Sequence, residues 1–361
     1  MKITFVLPTV SMSGGIKVAA IYAKALSDKG HDVFLVSVPP QKKRFLDKVK
    51  DFLLGKGWPQ PACTKSHLDG MDLNHNVLSE VRQVVDSDVP DADVVVATWW
   101  ETAEWVAKLR PSKGKKSYFI QGYEIFDFLP IERCKATYRL PLHKIVVAKW
   151  LADVMSKQYG DDNVDIVPNS VDHKQFYALI RNKQPVPTVG FLFSSTKLKG
   201  VDVILQVLDK LRLSIPNLRV ISFGMQSPDD DALMVRNIEF YHSPEQISIR
   251  NLYAQCDAWI TASRSEGFNL PAMEAMACRT PVVATRTGWP EEAVVNGKNG
   301  FLTEIDDVAA LTSAVSQILL ASNEEWMAMS QSAFETVQGC SWSNSVDLFE
   351  SALHNAIKRE W

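Results

Sequence analysis

Long hydrophobic runs are missing from this sequence. No stretch of roughly 18 apolar residues occurs, so no segment is expected to span a membrane. The opening Met1-Lys2-Ile3-Thr4-Phe5-Val6-Leu7-Pro8 has only a short apolar run that stops at a proline, and it reads as a strand and not as a signal peptide. Cysteine is sparse: Cys63, Cys134, Cys256, Cys278 and Cys340 are scattered, odd in number and never spaced C-x-x-C. That spacing indicates neither a disulfide framework nor a thiolate zinc site, and it fits a reducing, cytoplasmic setting. A net charge of −3 with no basic tail gives no general attraction to nucleic acid. G-x-G-x-x-G is absent, and the second expected strand ends in Ser37-Val38-Pro39 with no acid for a ribose, so the dinucleotide fingerprint is missing. The two halves share a strand–helix rhythm but no internal repeat.

What is present is that rhythm over 361 residues, a length that suggests two domains. Residues 3–7 predict a buried strand. Ile16, Ala19, Ala20, Ala23 and Leu26 then share one helical face, Gly30 stops the helix, and 33–38 predict the second strand. Further strands are expected at 93–98, 118–120, 145–148 and 164–167, with a loop over 59–76 and a helix over 77–85. The polar segment 176–187, with Pro185 and Pro187, reads as a linker. Beyond it, strands at 188–193, 218–223, 238–241, 257–262, 281–285 and 300–302 alternate with helices, and 343–358 form a last amphipathic helix. The expected fold is α/β, with domains at 1–184 and 185–340 and a C-terminal helix within 341–361.

One stretch stands apart: Ser263-Arg264-Ser265-Glu266-Gly267-Phe268-Asn269-Leu270-Pro271-Ala272-Met273-Glu274-Ala275-Met276-Ala277. A short apolar strand precedes it, Pro271 suits the first turn of a helix, and 272–278 are mostly good helix formers. The start of such a helix carries about +0.5 charge and free N–H groups, so the loop can hold an anion such as a phosphate. Glu266 and Glu274 bracket the loop with seven residues between them. One sits at its start and the other a turn into the helix, so they can reach opposite ends of an elongated ligand. A carboxylate that accepts two hydroxyl hydrogen bonds suits a ribose or a hexose.

These residues resemble the nucleotide-sugar glycosyltransferases of family 4 (group 1), whose pattern is E-G-F-G-L-P-x-x-E-A. The chain reads Glu266-Gly267-Phe268-Asn269-Leu270-Pro271-Ala272-Met273-Glu274-Ala275, with Asn269 in place of Gly. Asn tolerates positive φ, so the loop shape is expected to survive. The resemblance implies the GT-B architecture: two Rossmann-like domains facing a cleft, and a final helix that crosses back to the first domain. It implies Glu274 on the nucleotide ribose and Glu266 on the donor sugar. The loop Gly267 to Leu270 is donor-binding, with the backbone N–H groups of Phe268, Asn269 and Leu270 meeting the sugar or diphosphate. Gly14 and Gly15, between the first strand and helix, would face the diphosphate, though a plain tight turn also explains the pair. Lys199, just before Gly200, matches the family's diphosphate lysine. The family's Arg after the preceding strand is missing. Ser194 or Ser195 stands near its place, and Lys197 is the candidate to compensate as a point charge. Gly288, Pro290 and Glu291 keep part of a G-G-x-P-E segment that lies near the phosphates in the family.

In the first domain, Gln121-Gly122-Tyr123-Glu124 followed by aromatics resembles a branch that builds bacterial surface polysaccharides, including rhamnose-type transferases. Thr137 to Leu142, Lys149-Trp150-Leu151 and Pro168-Asn169-Ser170-Val171-Asp172 continue that resemblance. Gln121 stands near the place of a family His and would be a neutral hydrogen-bond partner at the reaction centre. Tyr123 and Glu124 are acceptor-side candidates; Glu124 reads equally well as a surface salt-bridge residue. Trp99, Trp100 and Glu101 follow a strand at its ligand-binding end, where the indoles can stack on a sugar or lipid headgroup or pack in the core. Asp86-x-Asp88 and Asp91-x-Asp93 formally match a metal-binding D-x-D but precede the strand, at the wrong end of a sheet, and read as solvated loop acids. No metal and no cofactor are expected. Residues 41–58 place Phe45, Leu46, Val49, Phe52 and Leu53 on one stripe among Lys42, Lys43, Arg44, Lys48, Lys50 and Lys56. Such a helix packs on its own domain or lies on an anionic membrane.

The implied function is metal-independent transfer of a hexosyl or deoxyhexosyl group, with retention, from a nucleoside-diphosphate sugar to a hydroxyl of a glycan or lipid-linked acceptor. The setting would be cell-surface polysaccharide synthesis, in the cytoplasm or at the inner face of the membrane, with no nucleic acid involved. Glu266, Lys199 and Gln121 are the residues expected at the reacting centre. Two other readings stand beside it. One is a GT-B epimerase or hydrolase, which needs first-domain acids such as Glu101 or Glu124 to activate water. The other is a non-catalytic glycan- or nucleotide-binding subunit, against which the joint presence of Lys199, Glu266 and Glu274 argues.

Overall fold

Residues 1–40, 65–226, 228, 233 and 236–359 are described by a computed structural model of the chain. The basic helix expected at 41–58, and with it the membrane-surface contact, lies outside the described residues. The chain divides into two units. One comprises Met1–Val147, Leu151–Val167 and Val346–Trp361; the other comprises Ala148–Trp150 and Pro168–Ser345.

The first unit runs β1 (Lys2–Leu7), α1 (Gly14–Asp28), β2 (Asp32–Ser37), β3 (Asn74–Val77), β4 (Val94–Ala97), α2 (Trp100–Lys108), β5 (Lys115–Ile120), α3 (Ile131–Thr137), β6 (His143–Val146), α4 (Lys149–Tyr159) and β7 (Asp165–Ile166). Its strands pair in the order β3-β2-β1-β4-β5-β6-β7, every pair parallel. The central strands are buried along nearly their whole length, as a parallel sheet covered on both faces requires. Strand order reverses between β1 and β4, so loops from neighbouring strands splay apart there and leave a crevice at the carboxyl ends.

The second unit runs β8 (Thr188–Leu192), α5 (Val201–Ser214), β9 (Arg219–Gly224), β10 (Glu239–His242), α6 (Gln246–Ala254), β11 (Ala258–Thr261), α7 (Leu270–Ala277), β12 (Val282–Thr285), α8 (Pro290–Ala293), β13 (Gly300–Thr303), α9 (Val308–Leu320) and α10 (Asn323–Gln338). The strand order is β10-β9-β8-β11-β12-β13, again all parallel, and its switch point lies between β8 and β11. One face of the sheet packs Val189, Ile260 and Val283 against Ile204, Leu208 and Leu211 of α5 and Leu311, Val315 and Ile318 of α9.

The last helix, α11 (Trp342–Lys358), returns the chain to the first unit, as the amphipathic pattern and the family resemblance imply. Phe349 is fully buried there. It stacks on Tyr22 at 4.4 Å between centroids and meets the Phe119 ring edge-on at 5.1 Å. Lys29 bonds both Asp347 and Glu350, and His31 Nε2 lies 2.8 Å from Glu350 Oε1.

Three expectations are corrected. The helix expected over 77–85 is extended chain: Val77 closes β3, Leu78 N–H donates to Ser37 O at 2.9 Å, and Val85 N–H donates to Asp88 Oδ2 at 2.8 Å. Val77, Val81 and Val85 are 47%, 52% and 38% exposed, so no apolar face of this segment packs on a core. The loop expected over 59–76 contains the start of β3, a polar edge strand held by backbone pairing with β2. The domain boundary falls at 167/168 and not at 184/185. Residues 168–184 join the second unit because their side chains pack there. Phe176 meets Tyr253 edge-on, the Arg181 guanidinium lies 4.4 Å from the Trp326 ring centroid, and Gln184 N–H donates to the buried Asp257 carboxylate.

Candidate functional site

At the switch point of the second unit, β11 runs into a short loop and then into α7. Asn269 is the N-cap, with φ 77° and ψ 62°, the left-handed conformation that Asn adopts more readily than other side-chain-bearing residues. Its substitution for the family's Gly therefore keeps the turn. No hydrogen bond among the described residues engages the backbone N–H groups of Gly267, Phe268, Asn269 or Leu270. They stand at the positive end of a helix, where an anion is stabilised.

Glu266 lies beside this helix start. Its Oε1 accepts from Ser263 Oγ at 2.7 Å and pairs with Lys199 Nζ at 2.6 Å. Lys199 comes from the turn after β8, so the two strands that flank the switch point each supply one partner. Glu274 sits one turn inside α7, buried, with its Oε2 accepting from the Tyr253 hydroxyl at 2.9 Å. Burial beside that carboxylate raises the Tyr253 pKa, so its phenol stays a donor. Lys199, Ser263, Glu266 and Asn269 line one concavity together with Leu192, Thr261 and Pro271.

The loops are held from outside. Arg264 makes a bidentate pair with Asp202, bonds Asp306 at 2.7 Å and donates to Lys197 O, while its own N–H donates to Leu198 O. This ties the lysine turn, α5 and the glutamate loop together, and Arg264 is fully committed to that task. Gly200 has φ 62°, and a Cβ there would lie 1.9 Å from Ala262 O, so the lysine turn and the glutamate loop touch backbone to backbone. Gly288 also has positive φ, and a Cβ would meet Phe268 O at 2.9 Å. The next residue, Trp289, donates its N–H to that same oxygen and stacks on Phe268 at 5.8 Å. From the 148–150 segment of this unit, Trp150 Nε1 donates to Gly267 O at 2.9 Å. The motif alone gave no sign of Arg264 or Trp150 as loop anchors; the Lys149-Trp150-Leu151 match to the family was the only pointer.

Lys197 is exposed at the start of the lysine turn. Ser195 is taken up by Gln226, to which both its N–H and its hydroxyl donate. Ser194 Oγ accepts from Thr196 N–H within the turn.

In the first unit, Gly14 and Gly15 open α1, and Gln121 Nε2 donates to Gly15 O at 3.1 Å. These three residues are thus brought together at the carboxyl ends of β1 and β5. The acceptor-side candidates divide. Trp99, Glu101 and Tyr123 are half-buried, and Tyr123 shares its hydroxyl with Gln158 and Tyr159. Burial raises the Glu101 pKa. Trp100 is buried, with the Arg133 guanidinium 4.9 Å from its ring centroid, which is the core-packing alternative.

Glu124 is no surface salt-bridge residue. It is 3% exposed, its Oε2 accepts from Trp100 N–H at 2.8 Å and from Tyr118 OH at 3.2 Å, and its own N–H donates to Tyr138 OH at 2.8 Å. Burial pushes its pKa up to about 8. The D-x-D acids are engaged before β4. Asp86 accepts from Arg110 N–H, Asp88 is forked by Arg82, Asp91 pairs with Lys113, and Asp93 accepts from Lys2 N–H.

Two parallel Rossmann-like sheets, one carrying a lysine–glutamate pair at a helix start, define a GT-B type protein. The family described as "Glycosyl transferases group 1" matches residues 178–336. That region, somewhat less than half of the chain, is similar to the group 1 glycosyl transferases. A D-inositol 3-phosphate glycosyltransferase of Corynebacterium urealyticum is 30% identical over 181 residues, which is 45% of this chain and 42% of that protein. The chain thus spans less than half the length of this curated relative. Among solved structures, Anabaena HepE in complex with UDP superposes with a TM-score of 0.75 at 15% identity, covering 98% of this chain and 100% of that one. A variant of S. aureus TarM, in complex with fondaparinux, alpha-GlcNAc-glycerol and UDP, has a TM-score of 0.72 at 11% identity, with 98% and 100% covered. At these identities the structures establish the fold.

Proposed function

We propose that this chain transfers a sugar, with retention and without a metal, from a nucleoside-diphosphate sugar to a hydroxyl of a glycan or lipid-linked acceptor in surface-polysaccharide synthesis. One observation carries the reading. Glu266, the N–H groups of 267–270 and Glu274 follow one another along one strand–loop–helix at the switch point of the second sheet, and Lys199, from the turn after the neighbouring strand β8, pairs with Glu266 there.

Each part has a chemical task in that reaction. Glu274 accepts the ribose hydroxyls, held in place by Tyr253. Glu266 accepts a sugar hydroxyl through Oε2, the oxygen that neither Lys199 nor Ser263 occupies. The leaving diphosphate gains negative charge as the glycosidic bond breaks. Lys199 and the start of α7 offset that charge without reorganising, which is how fixed dipoles and ammonium groups lower such a barrier. A diphosphate oxygen takes the acceptor proton on the same face, so no side-chain base is required, in keeping with a neutral amide at Gln121. Gln121, fixed to Gly15 O, positions the first turn of α1. Trp99 and Tyr123 are the acceptor-side surfaces, with Glu124 and Trp100 beneath them as support. UDP in the HepE structure, and UDP with alpha-GlcNAc-glycerol in the TarM structure, support a nucleotide-sugar donor and a glycan acceptor.

The test is Glu274→Ala. Two ribose hydrogen bonds worth about 1 to 1.5 kcal/mol each should weaken nucleotide binding by roughly one to two orders of magnitude. Unchanged nucleotide affinity, measured by calorimetry, would sink the assignment.

A further inference from the structure

We propose that Asn269 is a positioning residue for Glu266, acting through Thr261 and Ser263; the proposal rests on the reading of Glu266 as the donor-sugar contact. Asn269 is 5% exposed, and its side chain does more than tolerate a left-handed turn. Its Nδ2 donates to Thr261 Oγ1 at 2.9 Å. Thr261 Oγ1 lies 3.4 Å from Ser263 Oγ, and Ser263 Oγ donates to Glu266 Oε1 at 2.7 Å.

The proton inventory gives this chain one direction. A serine hydroxyl has a single hydrogen, and that of Ser263 is spent on Glu266. Thr261 is therefore the donor in the Thr261–Ser263 contact. With its own hydrogen so used, Thr261 can only accept from Asn269, which must present its NH₂ and not its carbonyl. The relay runs from Asn269 through Thr261 and Ser263 to Glu266, where Lys199 closes it on the same oxygen. Both donors converge on Oε1, and the carboxylate is left with Oε2 turned to its ligand.

A glycine at 269, the family's residue, would give the same backbone but no relay. Thr261 would then be free to accept from Ser263, in competition with Glu266. Asn269→Gly thus removes the amide while preserving φ, and it separates the relay from the turn. Thr261→Val breaks the same relay one step on, and Thr261→Ser keeps it.

The experiment compares bare UDP, GDP, dTDP and ADP with UDP-glucose, GDP-mannose, dTDP-rhamnose and ADP-glucose as binding probes. Transfer kinetics are then measured with the donor that binds. Asn269→Gly and Thr261→Val should each lower kcat about ten-fold and erase most of the extra affinity that the sugar gives over the bare nucleotide. The nucleotide Kd should stay within two-fold. Thr261→Ser should restore both quantities, and the Asn269→Gly/Thr261→Val double variant should be no worse than Thr261→Val alone. Wild-type kcat and sugar affinity in Asn269→Gly, or additive losses in the double variant, would overturn the relay. Glu266→Gln separates the two claims. If it too leaves sugar affinity and kcat unchanged, the reading of Glu266 itself has failed; if it is impaired while Asn269→Gly is not, only the relay has failed.

Discussion

Glu124→Gln tests whether the first unit is built around a neutral carboxylic acid. Glu124 is buried between the turn that starts α2 and the end of β5, and Trp100 N–H and Tyr118 OH both donate to one of its oxygens. Burial outweighs those donors and raises its pKa from 4.5 to about 8. Between those two values the folded chain holds a proton that the unfolded chain has released. Stability must therefore fall as pH rises through that window, by up to 1.36 kcal/mol per pH unit for this one group, and level off above about pH 8. From pH 5 to pH 9 the loss is roughly 4 kcal/mol. An amide accepts the same two hydrogen bonds through its oxygen and does not ionise. Denaturant titrations of both proteins at pH 5, 7 and 9 should show their stabilities diverging with pH, the Gln variant gaining several kcal/mol on the wild type by pH 9. All other titrations are common to both proteins and cancel. Curves that stay parallel from pH 5 to pH 9, or a Gln variant that loses ground at pH 9, would refute the reasoning.

Gly200→Ala places a methyl 1.9 Å from Ala262 O at a φ of 62°, so it should destabilise the second unit by more than about 3 kcal/mol, read as a lowered melting temperature with the first unit's transition unmoved. Arg264→Ala removes a bidentate pair and two further contacts that are partly exposed, so global stability should drop by only about 1 kcal/mol. The lysine turn should nonetheless loosen, giving a weaker nucleotide-sugar affinity and faster hydrogen exchange at the amides of residue 264, which donates to Leu198 O, and of Lys199, which donates to Thr196 O.

The strand–helix rhythm was legible because parallel strands covered on both faces are written as apolar runs. Residues 3–7, 94–97 and 282–285 have no polar face to hide them. β3 was not legible, because Asn74, His75 and Asn76 owe their strand to backbone pairing with β2 and to the contact of His75 with Ser37 Oγ, not to an apolar face. The helix expected over 77–85 did not form, and Val77, Val81 and Val85 have no core to cover them. The strand–loop–helix that carries Glu266 and Glu274 was legible, since an apolar strand and a proline in the first turn of a helix are local features. Its supports were not. Arg264 depends on Asp202 and Asp306, and Trp150 on Gly267, partners that sequence spacing does not reveal. Neither reading of Glu124, acceptor-side candidate or surface salt-bridge residue, anticipated its burial, because its neighbours, Trp100, Tyr118 and Tyr138, come from three separate elements.

The measurement that bears most directly on the central claim is a thermal-shift panel of UDP-, GDP-, dTDP- and ADP-sugars, with and without magnesium, on the wild type and Glu274→Ala. A ligand at a hundred times its Kd adds about 2.7 kcal/mol, which for a unit of this size is a rise of roughly 5 to 10 °C. The account predicts that one nucleotide class gives that rise without magnesium and that Glu274→Ala cuts it to about half or less. No stabilisation by any of the four, or an equal rise in Glu274→Ala, would contradict it.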